Sequence, residues 1–362
     1  MKNSYKIASI LALLSFQVTA QQLEFYSDTS AFSNISPIMD IAKDKWQVRP
    51  QSDADNGHAQ ARFGVSLAPE FAPKFSIHLL QRADYFINTN PDTALGYYQE
   101  HNNLPLLDKE TYAVQLEYMA NRSKGAGIAY QHTLTDSLTL EFQANYWYVD
   151  YFRHTVANGE VRGRQDNSLL GSLDYYEHYS HNNFLKRPNN GDWQDSGNGY
   201  SVDFSAHWQL SSALTIAVAV KDWLNRFEAN DAGYSEANIN TKGSFIENEG
   251  FNSFRPLLRG FEGEDSYHYR LPKQIKLTAT QATEFVTFIA RLNHQAEQNF
   301  FLVGAELPIH ESLRLKLLLD TKHFTPEISL SNSHFGLTIA MDDITPNQAK
   351  QLSLGAFFRL EL

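Results

Sequence analysis

Leu138 to Tyr148 reads LTLEFQANYWY, with an apolar side chain at every second residue. Leu138, Leu140, Phe142, Ala144, Tyr146 and Tyr148 share one face, and Thr139, Glu141, Gln143, Asn145 and Trp147 share the other. That is the period of a β-strand. Tyr200 to Leu210 repeats it, setting Tyr200, Val202, Phe204, Ala206, Trp208 and Leu210 against Ser201, Asp203, Ser205, His207 and Gln209. Tyr112 to Tyr118 alternates likewise, and Leu313 to Leu319 sets leucines opposite Arg314 and Lys316. The chain stops on such a run: Leu354, Ala356, Phe358, Leu360 and Leu362 face away from Ser353, Gly355, Phe357, Arg359 and Glu361. No comparably long stretch has a helical period.

Short turn signals separate many of these runs, at 70–74, 133–137, 211–212 and 308–312, whereas 154–199 and 222–265 read as long polar excursions. Alternating strands suit a sandwich with oily faces inward or a transmembrane barrel with oily faces outward. Three features favour the barrel. Aromatic residues crowd strand ends, as at Tyr146, Tyr148, Tyr151 and Phe152, where rings sit at a membrane interface. Charges of both signs, such as Glu141, Asp203, Lys276 and Arg314, lie mid-strand on the opposite faces. Turn lengths are unequal, short on one side and long on the other. A spanning sheet must also close, which gives an apolar last strand a partner in the first. The expectation is an all-β fold, a single antiparallel transmembrane β-barrel of about fourteen strands, within a range of about twelve to sixteen, over 61–362 with long extracellular loops. The proposed strands include 61–70, 74–87, 111–120, 125–132, 138–153, 198–210 and 213–223, with 351–362 the last and 168–180 an alternative additional strand.

Composition narrows the setting. Lys2 and Lys6, the apolar run Ile7 to Phe16 and Val18-Thr19-Ala20 read as a cleaved signal peptide over 1–20. Residues 21–60 then read as a periplasmic or plug segment, with Ser36-Pro37 starting a short helix. The chain has no cysteine, so disulfides do not staple it, and its formal net charge of -11 argues against nucleic acid as a partner.

The last strand also carries a resemblance. Ser353-x-Gly355-x-x-Phe358-x-Leu360, followed by Leu362, resembles the C-terminal signal by which Gram-negative outer-membrane barrels are recognised for assembly, although here the chain ends on Glu361-Leu362 rather than an aromatic residue. The layout, with the phrases GYSVDFSAHWQLSSALTIAVAVKDWLNRFE and YRLPKQIKLTA, is similar to the long-chain fatty-acid transporter superfamily and its conjugal-transfer-like members. The resemblance implies an outer-membrane location, and partners among outer-membrane lipid, lipopolysaccharide and the barrel assembly machinery.

Chemistry is sparse. No nucleophile elbow, zinc-protease helix motif or phosphate-cradling loop is present, so the expectation is no enzyme, no cofactor and no metal. His178 and His181, three apart, point to opposite faces of a strand. Asp342-Asp343 and Asp192 to Gly199 suit turns as well as calcium. The candidate lumen or solute-binding residues are Glu141, Asp203, His207, Arg314, Lys316, Arg359 and Glu361. Two readings stand: a channel or transporter for small solutes selected by lumen charge, or a structural or interaction protein with an occluded lumen whose long loops bind a partner.

Overall fold

The computed structural model describes residues 20–164, 169–180, 197–241, 246–248, 251–253 and 258–362, so the signal segment lies outside the described residues, as does most of Asp192 to Gly199. The strands are β1 (Ala20–Ser33), β2 (Asn56–Pro69), β3 (Phe75–Thr89), β4 (Tyr112–Thr135), β5 (Leu138–Gly163), β6 (Leu169–Tyr179), β7 (Gly197–Gln209) and β8 (Leu214–Asn240). After a small hairpin of β9 (Ile246–Asn248) and β10 (Phe251–Ser253) come β11 (Leu258–Tyr269), β12 (Gln274–Ala282), β13 (Thr287–Gln295), β14 (Gln298–Pro308) and β15 (Arg314–Asp320). β16 (Pro326–Ser331), β17 (Phe335–Met341) and β18 (Gln351–Glu361) complete the wall. Among the described residues every pairing is antiparallel, and two helices, α1 (Ile38–Lys43) and α2 (Pro91–His101), cap connections on one side. No described helix is long and apolar enough to cross a membrane, which says nothing against crossing by strands.

Sixteen strands share one sheet, and hydrogen bonds close it. The ring runs β1, β2, β3, β4, β5, β7, β8, β12, β13, β14, β15, β16, β17, β18 and back to β1, which is fourteen positions. The other two strands are stacked above this ring. β6 pairs with the far halves of β5 and β8, above β7, and β11 pairs with β8 above β12. β4, β5 and β8 run for 24, 26 and 27 residues. A tilted strand needs only ~9–11 residues to cross hydrocarbon, so their far halves, with β6 and β11, rise beyond the wall as a tower.

The outer face is apolar along the wall. Phe25, Phe63, Leu79, Ile128, Phe142, Leu277, Phe301, Leu317, Ile339, Leu354 and Phe358 all project outward and stay exposed. No soluble packing explains such a belt, whereas hydrocarbon does. Phe358 stands in one outward row with Phe25 and Phe335 near the short-turn end.

Three expectations need correction. Residues 21–60 do not form a plug, because Ala20–Ser33 is a wall strand hydrogen-bonded to both β18 and β2. The closing strand had to be paired on both edges, and its outward face (Leu23, Phe25, Ser27, Thr29) is only half apolar, which hides it in the sequence. The helix after Ser36-Pro37 is present, but it sits in the connection from β1 to β2. Residues 111–120 and 125–132 belong to the single strand β4. The proposed fourteen strands thus matched the ring by two offsetting errors, one strand missed and one counted twice. Finally, the alternative strand at 168–180 is present as β6, and much of the rest of 154–163 and 222–265 is strand rather than loop, because pairing in the tower continues where alternation gives way to polar and aromatic residues.

Candidate functional site in the lumen

Inward-facing side chains meet across the ring. β1 and β2 stand about half-way round from β8 and β13, yet Lys221 on β8 reaches Asp28 on β1. Gln295 on β13 bonds to Ser30 Oγ at 2.8 Å and to Gln60. The wall is therefore drawn together along a seam.

The densest part of the seam is charged. Arg82 on β3 donates from Nε to Asp84 Oδ2 at 2.7 Å and from Nη2 to Asp84 Oδ1 at 2.9 Å. It also crosses the lumen to Asp222, Nη1 to Oδ1 at 2.8 Å and Nη2 to Oδ2 at 2.9 Å. Arg62 on β2 donates to Asp203 at 2.6 Å and Asp222 at 2.8 Å. Arg82 and Asp222 are fully buried. Burying such charges is tolerated because they are paired and hydrogen-bonded in two planar forks.

A local irregularity supplies the keystone. The register between β7 and β8 shifts between Val202 and Phe204, and Asp222 takes a positive φ of 56°. This bulge swings its carboxylate into the lumen, where Asp203 Oδ1 accepts its backbone N–H at 2.7 Å. Asn225 bonds Asp222 and Leu271 backbone groups and fixes the bulge from behind.

An aromatic column stands above the charges. Trp147 lies 5.1 Å from the Arg82 guanidinium and donates to Ser201 Oγ at 2.9 Å. Phe152 and Tyr269 stack at 4.3 Å, Phe227 and Tyr269 at 5.3 Å, and His178 and Tyr267 at 3.9 Å. Two close approaches need glycine: a Cβ on Gly125 would lie 2.7 Å from the Trp147 ring, and one on Gly64 would lie 2.3 Å from the Tyr26 ring. On the other flank Phe32, Ile289, Phe300, Leu302 and Leu318 form a separate apolar cluster.

Below the seam, toward the short-turn end, lies a cavity of about 680 Å³ lined by Glu24, Tyr26, Asp28, Arg62, Glu141, Asp203, Lys221, Lys276, Arg291, Lys316 and Glu327, among others. Arg291 binds both Glu327 oxygens, at 2.7 and 2.9 Å.

The residues singled out in the sequence scatter around this space. Glu141, Asp203 and Lys316 line the cavity. Arg314 and Lys316 both contact Glu306, at 3.1 and 3.4 Å, and Arg359 binds Glu24 at 2.7 Å, so these cations do not form one basic patch. His207 pairs in register with Thr139 and Ala217 near the short-turn end, and Glu361 is exposed opposite Gln22 at the rim. Gly355 faces the cavity, while Phe358 and Leu360 face outward and Leu362 ends the chain exposed. Arg62, Arg82, Asp84 and Asp222 were missed. Arg82-x-Asp84 was legible, as two opposite charges on the inward face of a strand whose outward face (Phe75, Ile77, Leu79, Ala83, Tyr85, Ile87) is mostly apolar. Asp222 was not, because only the bulge turns it inward. Among the described residues no group of three or more His, Asp or Glu gathers as a metal site.

No family model matches the chain, and no curated protein sequence matches it. Solved structures similar in layout include a deletion mutant of the TodX monoaromatic hydrocarbon channel, at 8% identity and a TM-score of 0.47 over 96% of this chain and 92% of that one. The P. putida toluene transporter TodX aligns at 8% identity and 0.40 over 97% and 92%. The Ralstonia pickettii toluene transporter TbuX aligns at 9% and 0.41 over 97% and 93%.

Proposed function

We propose that the chain is an outer-membrane transport protein for small solutes of a Gram-negative bacterium, with a transport rather than catalytic role, described here in a closed form. The observation that carries this reading is a closed wall, apolar outside, around a water-accessible cavity lined by charges of both signs. A wall built only to anchor loops has no need of such a cavity. The side chains meeting across the seam act as its gate, and lipid, lipopolysaccharide and the barrel assembly machinery are its partners in the membrane. The second reading, an occluded structural barrel, draws support from the same seam, since buried ion pairs hold opposite walls together.

Conductance in planar bilayers separates the two. Wild type is expected to pass little current, and a seam variant combining Lys221→Ala with Gln295→Ala is expected to raise it severalfold. Both residues are partly accessible at the seam edge, so the wall stays closed. If that variant folds, runs as a heat-modifiable barrel and still passes neither ions nor solute, the transport reading falls and the structural one stands.

A further inference from the structure

We infer that the lumen cavity takes a small zwitterion, its ammonium end at Glu141 and its carboxylate end at Lys276, an inference that rests on the transport reading above. The argument starts from which charges are already satisfied. Of the charged side chains lining the cavity, Arg62 and Asp203 hold each other, Lys221 holds Asp28, Arg291 holds Glu327, Lys316 holds Glu306 and Glu24 holds Arg359. Two remain. Among the described residues, no hydrogen bond or ion pair meets the Glu141 carboxylate or the Lys276 ammonium, and both stay accessible from the cavity.

They also share one row of the wall. Glu141 is paired in register with Ser205, Ser205 with Ala219, and Ala219 with Lys276. Three strand spacings of about 4.8 Å set their backbones roughly 14 Å apart. The residues between them, Ser205 and Ala219, are short and leave a shallow floor. From the facing wall Tyr26 and Asp28 project into the same space, Tyr26 with its ring folded over Gly64.

One unpaired charge of each sign at opposite ends of a low-dielectric trough makes a directed field. A monovalent anion or cation satisfies one end and is left facing the other unpaired. A molecule carrying both charges, spaced by several bonds, satisfies both ends in one orientation, and each contact is a charge-assisted hydrogen bond.

Isothermal titration of the full-length barrel in detergent with ε-aminocaproate, caproate and hexylamine tests this. The zwitterion is expected to bind about tenfold more tightly than either single-charge analogue, as two charge-assisted contacts replace one. Lys276→Met is expected to bring ε-aminocaproate down to the level of hexylamine, and Glu141→Gln to that of caproate. Equal binding of all three probes, or a zwitterion preference that survives both substitutions, overturns the inference. Solute flux on the same preparations keeps the two readings apart. Flux without zwitterion preference leaves transport standing and removes this site, whereas selective binding without flux upholds the site and counts against transport.

Discussion

Arg82→Met should destabilise the barrel far more than Asp222→Asn, although the two residues are partners. The buried cluster holds two guanidiniums, Arg62 and Arg82, and three carboxylates, Asp84, Asp203 and Asp222. It thus carries one excess negative charge, with Lys221 near by on Asp28. Removing the Arg82 charge leaves three carboxylates around one guanidinium and abolishes the four hydrogen bonds at 2.7 to 2.9 Å that Arg82 donates. Breaking a buried pair in this sense costs about 3–5 kcal/mol. Neutralising Asp222 instead leaves Arg62 with Asp203 and Arg82 with Asp84, two balanced pairs. The Asn side-chain oxygen still accepts one bond, so the cost is about 1–3 kcal/mol. The two sites share partners, so the double variant should lose less than the sum of the single losses. Urea-driven unfolding from lipid vesicles, followed by tryptophan fluorescence, reports it, because Trp147 packs on the Arg82 guanidinium. Equal losses for the two variants, or a larger one for Asp222→Asn, would refute charge balance as what holds the seam.

The membrane face gives another expectation: Phe358→Asp with Leu360→Asp adds charge to the outward row at ~2–4 kcal/mol or less per site, depending on depth, so heat-modifiable barrel should vanish from the membrane fraction, and normal accumulation contradicts it. The two-residue turn between β13 and β14 holds Ala296 and Glu297 at φ of 45° and 66°, so Glu297→Gly should stabilise by up to about 1 kcal/mol, relief of about 1–2 kcal/mol of left-handed strain exceeding the about 0.4–1 kcal/mol that a more flexible unfolded chain costs, and an unchanged or lowered midpoint of unfolding rejects this. In the tower, burial pushes the His178 imidazole below its usual range, against an opposing pull from Asp265 at 2.9 Å, with Tyr267, Tyr176, Tyr234 and His154 around it. A depressed folded value means that stability present above the ordinary histidine range is lost as pH falls below it. Hydrogen exchange in β6 and β11 should therefore quicken on mild acidification in wild type and much less in His178→Phe; identical pH profiles refute the assignment.

Period-two alternation determined the class of this fold, and it did so locally. Wherever one strand face meets lipid and the other the lumen, as in Leu138 to Tyr148 or Leu313 to Leu319, each residue's polarity records its side. Ala20–Ser33 escaped because its outward face is half polar, and most of the tower escaped, 168–180 excepted, because beyond the membrane no lipid enforces the pattern. The charges too were legible in kind: Glu141, Asp203, Lys276, Arg314, Lys316 and Arg359 were all placed inward by parity. What parity leaves open is partnership, since it names a face and not the residue opposite. Closure of the ring decided that Arg359 meets Glu24, over 300 positions away in the chain, and that Lys221 meets Asp28. A single bulge, invisible in composition, decided that Asp222 enters the lumen at all. The seam and the two charges left unpaired therefore belong to the tertiary structure, because each depends on contacts between strands that only the closed wall brings face to face.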